Sequence, residues 1–305
     1  MTEIQKKTLI GCVCAVSCEI LFGLSYLFTK KITSDVDAVT LLGWRFLLAF
    51  IMMNALLIAG YININIKKKH LPSLLKIAVL QPIAYFTCET FGIQMTTASE
   101  SGSIIACIPI ASLVASILFL QKKPTRFQTS GICLTVVGVI VCVTAKGFES
   151  SFSGIGYIML CMAVLSYSLY CVSAEKADKT TSIEKTYVMI ACGACFFATM
   201  AIARSIAADT VVDLFMLPFQ NTVFLFSILY LGIASSVLSF VLFNISISSI
   251  GTNKASSFVG ISTAVSVLAG VFILDEKFSA MQCYGTLIIL LGVYIANMKS
   301  RFFWR

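Results

Sequence analysis

The sequence predicts an all-α polytopic membrane protein, with ten transmembrane helices arranged as two inverted five-helix repeats. Three observations predict it: apolar runs of membrane-crossing length, cations segregated to alternate junctions between them, and a second half that repeats the first. The composition sets the solvent. The 305 residues are 58% hydrophobic and 12% charged, with a mean hydropathy of +0.95, whereas soluble domains carry roughly 45–50% apolar and about 25% charged residues.

A hydrocarbon core of about 30 Å requires roughly 20 helical residues. Runs of that kind cover 9–29, 38–61, 73–96, 99–120, 127–145, 154–174, 186–206, 222–248, 254–274 and 281–298. The first follows Lys6 and Lys7, as a secretory signal would, but continues to about Phe28 without a small-residue cleavage pattern, so it is read as a retained helix. Short polar junctions such as "KKKHLP" (67–72), "QKKPTR" (121–126) and "AEKADKT" (174–180) separate the runs.

With the amino terminus placed inside, sixteen of the 22 Lys and Arg residues fall on the inner side and five on the outer, leaving Arg45 within the second run. This positive-inside bias supports ten crossings with both termini cytoplasmic in the cell membrane. It also accounts for the net charge of +8 without a soluble basic face, so no nucleic-acid partner is expected. Most of the twelve cysteines lie inside apolar runs and read as small hydrophobes. "CGAC" (192–195) has no second pair, and His70 is the only histidine, so neither a metal site nor a cofactor is expected.

Shifting the chain by 154 residues lays "FLQKKPTRFQTSGICLTVVGVIV" (119–141) over "ILDEKFSAMQCYGTLIILLGVYI" (273–295). Gln128 then meets Gln282, Gly131 meets Gly285 and Gly138 meets Gly292; upstream, Phe86 meets Phe240 and Ser112 meets Ser266. The repeats are read as 1–148 and 149–305. Five runs in each half is an odd number, so the halves face opposite ways, an arrangement that many alternating-access transporters use.

Several segments carry a family resemblance. "LFGLSYLFTK" (21–30), "LLGWRFLLAF" (41–50) with Arg45, "ASESGSIIACIPIASLVASILF" (98–119) with Pro109, and the closing "ILDEKFSAMQCYGTLIILLGVYI" with Glu276 resemble the motifs of the drug/metabolite transporter superfamily, and within it the EamA-type transporters. Phe22 replaces the family's Trp, and "LQKKPT" stands where the first half would carry the glutamate motif. The resemblance implies that runs 1–4 and 6–9 surround a central cavity, with runs 5 and 10 at the periphery. It also implies secondary transport of small organic solutes, export more often than uptake.

An ionisable group at a helix centre costs about 2.5–3.5 kcal/mol on insertion scales, so each needs a reason. Glu19 lies near the middle of the first run, and three readings stay open: a proton or cation site, a structural ion pair or hydrogen-bonded carboxyl, or a lipid-facing position. Glu89 lies at a depth similar to that of Arg45, so it either pairs with Arg45 or lines the cavity. Arg45 itself reads as a structural anchor. Tyr26, Tyr85, Ser166, Tyr170, Ser239 and Asn244 are candidate pocket groups, although polar residues of this kind also serve helix packing. Pro82 and Pro109 are candidate hinges or static kinks. The partners expected are a small-molecule substrate and the lipid bilayer. An ATP-binding loop is missing, and a membrane-embedded enzyme or a channel is the alternative.

Overall fold

The computed structural model describes residues 2–32, 36–96, 104–144, 153–274 and 280–297, and each of the ten expected runs carries helix there. In chain order the helices are α1 (Glu3–Ile32), α2 (Ala38–Ile58), α3 (Lys68–Gln94), α4 (Ile108–Leu120), α5 (Arg126–Thr144) and α6 (Gly154–Lys176), then α7 (Ser182–Ala207), α8 (Val211–Gln220), α9 (Thr222–Ile250), α10 (Thr252–Ser257), α11 (Gly260–Leu274) and α12 (Ala280–Asn297). Among the described residues seven of these are long and apolar enough to cross a membrane, while α4, α8 and the stretch Arg126–Cys142 of α5 are shorter apolar helices.

Local chemistry fixes the helix starts. Asp37 caps α2 by accepting from the Val39 and Thr40 amides, and Arg204 at the far end of α7 pairs with it at 3.0 Å. Thr181 and Glu184 form a reciprocal capping box on α7. Asn221 caps α9 through the Phe224 amide.

Two runs depart from straight helix. In α3 the stretch Val79–Ala84 is π-helical, and Gln81, just before Pro82, leaves helical geometry at φ −142°, ψ 115°. Tyr230–Leu238 in α9 is π-helical as well, with no proline in it. Under the 154-residue shift the two stretches overlap. Pro82 therefore follows directly on a break in helical geometry. Pro109 stands in the first turn of α4, just after a turn at Ala106 and Cys107, where its missing N–H leaves no intrahelical bond unmade.

The principal helix pairings are α1 with α9 and α11, α6 with α3 and α4, α2 with α7, and α5 with α12. Exchanging the halves leaves this set unchanged. The most extensive is α5 with α12, where backbones touch. A Cβ on Gly131 would lie 2.3 Å from the Ala296 nitrogen, and one on Gly138 2.8 Å from the Gly285 carbonyl oxygen. One on Gly292 would lie 2.5 Å from the Thr135 nitrogen. The glycines that align in the repeat are thus the ones that make this antiparallel seam.

Candidate functional site

The first helix explains its own carboxylate. Gly11, Ala15, Glu19 and Gly23 recur every four residues and share one face. That face is pressed into the bundle: a Cβ on Gly11 would lie 2.7 Å from Ile250 Cγ2, and one on Gly23 2.7 Å from the Ser262 carbonyl oxygen. Glu19 is carried inward with them and is only 1% exposed. This excludes the lipid-facing reading.

Glu19 Oε1 is buried and has no hydrogen-bond partner, and the residue joins no ion pair among the described residues. The Ser262 side chain on α11 faces the carboxyl, but its hydroxyl donates to the Val259 carbonyl at 2.7 Å. Tyr167 and Cys171 of α6 lie within electrostatic reach of Glu19. Cys18 beside it is fully buried against Ser239 of α9.

The second carboxyl is Glu89 in α3. Its Oε1 accepts from Tyr85 Oη at 2.7 Å, and the Arg45 charge acts on it electrostatically. The Arg45 guanidinium donates from Nε to Ser236 Oγ at 2.8 Å and from Nη2 to Ser235 Oγ at 3.0 Å, both in the π-helical stretch of α9. Its Cζ lies 4.7 Å from the Phe86 ring centre and 5.7 Å from that of Phe46. The pair expected from depth alone is thus an interaction at a distance, with each group hydrogen-bonded elsewhere.

Aromatic rings join the two carboxyls. Tyr85 packs on Tyr167 with centroids 5.4 Å apart, and Tyr167 on Phe243 at 5.8 Å. Phe46 meets Phe86 at 5.6 Å and Phe240 at 6.3 Å, and Phe240 meets Phe22 at 6.2 Å. The other candidates take packing positions. Tyr170 Oη donates to Asn244 Oδ1 at 3.2 Å, and Asn244 Nδ2 donates to Thr186 Oγ1 at 3.2 Å, tying α6, α9 and α7 together. Ser239 donates to the Ala234 carbonyl of its own helix at 3.0 Å, and Ser166 is buried. The Tyr26 side chain, Glu100 and Glu276 lie outside the described residues.

Tyr167 was not singled out from the sequence, although its position three before Tyr170 and one turn from Ala163 and Cys171 put it on the buried face of α6. Phe240 and Phe243 were hidden by the uniform apolarity of α9. The small-residue ridge of α1 was a signal that could have been read.

The EamA-like transporter family matches residues 9–144 and, a second time, residues 154–298. The chain belongs to the EamA-like transporter family. A Bacillus subtilis protein named "Uncharacterized transporter YcxC" is 32% identical over 289 residues, 94% of this chain and 92% of that protein. An Archaeoglobus fulgidus protein named "Uncharacterized transporter" is 23% identical, covering 91% of this chain and 95% of its own length. A solved crystal structure shares the fold with a TM-score of 0.77 at 15% identity, over 96% of this chain and 98% of that one. This EamA-like chain is accordingly a multi-pass membrane transporter, and its environment is a lipid bilayer.

Proposed function

We propose that the chain exchanges a proton for a small organic cation or zwitterion by alternating access of its two inverted halves, residues 1–148 and 149–305, with Glu19 as the exchanging group. The observation that carries this reading is the Glu19 carboxyl, buried at the centre of the bundle with Oε1 lacking any hydrogen-bond partner. A bare carboxylate there is disfavoured by about 2.5–3.5 kcal/mol. A form that keeps Glu19 buried is then roughly a hundredfold scarcer with the group empty and charged than with it neutralised. Either a proton or a cation provides that neutralisation, so the protein crosses between its two faces carrying one or the other, which is exchange. The rings of Tyr85, Phe86, Tyr167, Phe240 and Phe243 suit the apolar part of such a solute and the face of an ammonium group.

The positive-inside reading supports cytoplasmic termini, and the proposal places the chain in the plasma membrane. The direction consistent with an inward proton gradient is export. The experiment is a thermal-unfolding screen of purified protein against amines, amino acids, nucleobases and quaternary ammonium compounds, beside Glu19→Gln. A ligand that binds the folded form raises the unfolding temperature by mass action. Stabilisation by an amine class that vanishes in a still-folded Glu19→Gln protein is the expected result. Equal stabilisation of both proteins would remove Glu19 from the site.

A further inference from the structure

Well away from Glu19 the structure holds a cavity of 230 Å³ lined by, among others, Lys67, Lys69, His70, Lys179, Thr180 and Glu184. It lies where the chain enters α3 on one side and α7 on the other, so it opens at the membrane boundary. Its single carboxylate is already engaged: Glu184 Oε1 accepts from the Asn65 amide at 3.2 Å, and Oε2 from the Thr181 amide at 2.8 Å. Those bonds hold the two sides of the cavity together and direct the glutamate oxygens at backbone. Thr180 Oγ1 donates to the Ala177 carbonyl, and Asn65, His70 and the lysines supply the rest of the polar lining. Lys67, Lys69 and Lys179 remain exposed at the rim, so the field in the cavity is positive.

Directly after His70, Leu71, Leu75 and Val79 are exposed at intervals of four residues, forming an apolar stripe that runs from the cavity along α3. Clustered ammonium groups beside a membrane-facing apolar track match a group that bears a negative phosphate. We propose that this cavity binds a phosphate-bearing anion, supplied either by the headgroup of an anionic phospholipid or by a soluble phosphate. The site stands independently of the Glu19 reading.

The test is thermal unfolding of the full chain in nanodiscs of phosphatidylcholine alone, of phosphatidylcholine with phosphatidylglycerol, and of phosphatidylcholine with inorganic phosphate against chloride at matched ionic strength. The pocket variant is Lys67→Gln/Lys69→Gln. The control is Lys6→Gln/Lys7→Gln, which removes the same charge elsewhere on the chain. The altered lysines are exposed, so both variants should unfold with the wild type in plain phosphatidylcholine. A lipid source predicts that phosphatidylglycerol raises the unfolding temperature of wild type and control by about 2–4 °C but not that of the pocket variant. A soluble source predicts the same pattern with inorganic phosphate. If neither probe shifts the wild type, or if the pocket variant responds as the control does, the proposal is overturned.

Discussion

Asn244 bonds to side chains on two other helices, Tyr170 on α6 and Thr186 on α7. Truncating it leaves buried polar partners unsatisfied, at about 1–3 kcal/mol. Tyr170→Phe removes one bond and keeps the ring, so it should lie near the 0.6 kcal/mol that such bonds average in membranes. Thermal unfolding in detergent should therefore rank Asn244→Ala well below Tyr170→Phe; the reverse order would mean that the ring, not the network, holds these helices. The same residue shows where reading a sequence stops. Asn244 and Glu19 are both polar groups in apolar helices, and nothing in their immediate spacing separates a cavity group from a packing bond. Glu19 nonetheless stood out as a candidate, because a carboxylate in a membrane demands an explanation and an amide does not. Arg45 stood out in the same way, but its partners did not, since Ser235 and Ser236 lie some 190 residues away along the chain.

Among the elements, the α5–α12 seam makes the sharpest prediction. Gly138→Leu must place a branched side chain where a single Cβ already lies 2.7 Å from the Ile289 nitrogen. Overpacking of this kind costs about 1–3 kcal/mol or more. Gly154, with open space around its would-be Cβ, serves as the comparison. Gly138→Leu should lower the unfolding temperature and the yield of folded protein, whereas Gly154→Ala should leave both near wild type; equal behaviour would mean that the seam yields. Helix existence was readable from run length, since only helix can satisfy the backbone across a bilayer. The exceptions have physical causes. Helix α8 falls between the expected runs 186–206 and 222–248, since "VVDLFMLPFQ" is short and carries both Asp213 and Pro218; it is held by the Trp44 indole, which donates to the Leu214 carbonyl at 3.1 Å. The π-helical stretch in α9 has no proline to announce it. Its pairing with the Pro82 bend emerges only when the two halves are overlaid, and π-bulges recur at functional sites.

Taken as a whole, the molecule is joined between halves on the face that carries the amino terminus. Lys122, at the junction of α4 and α5, forms an ion pair with Glu175 near the end of α6. Glu175 also accepts from the Thr252 amide at 2.8 Å, and Thr252 Oγ1 donates to the Cys171 carbonyl at 3.0 Å. Gly251 stands between them at φ +79°, a conformation that suits glycine. An exposed ion pair alone is worth about 0–1 kcal/mol, but this one also holds the start of α10. Glu175→Gln should loosen that face. In a variant whose sole cysteine is Cys171, buried in the wild type, a membrane-impermeant thiol reagent should then react several-fold faster. An unchanged rate would show that this knot is not what closes the face.

The glycine seam also has a consequence for how the protein is made. Helix α5 leaves the ribosome with its backbone face bare, and the helix that covers it ends the described chain. At about 5–20 residues per second, translation leaves that face unpartnered for on the order of 10–30 s. The seam therefore forms only after both halves have been made, and the arrival of α12 is what covers the glycine stripe of α5.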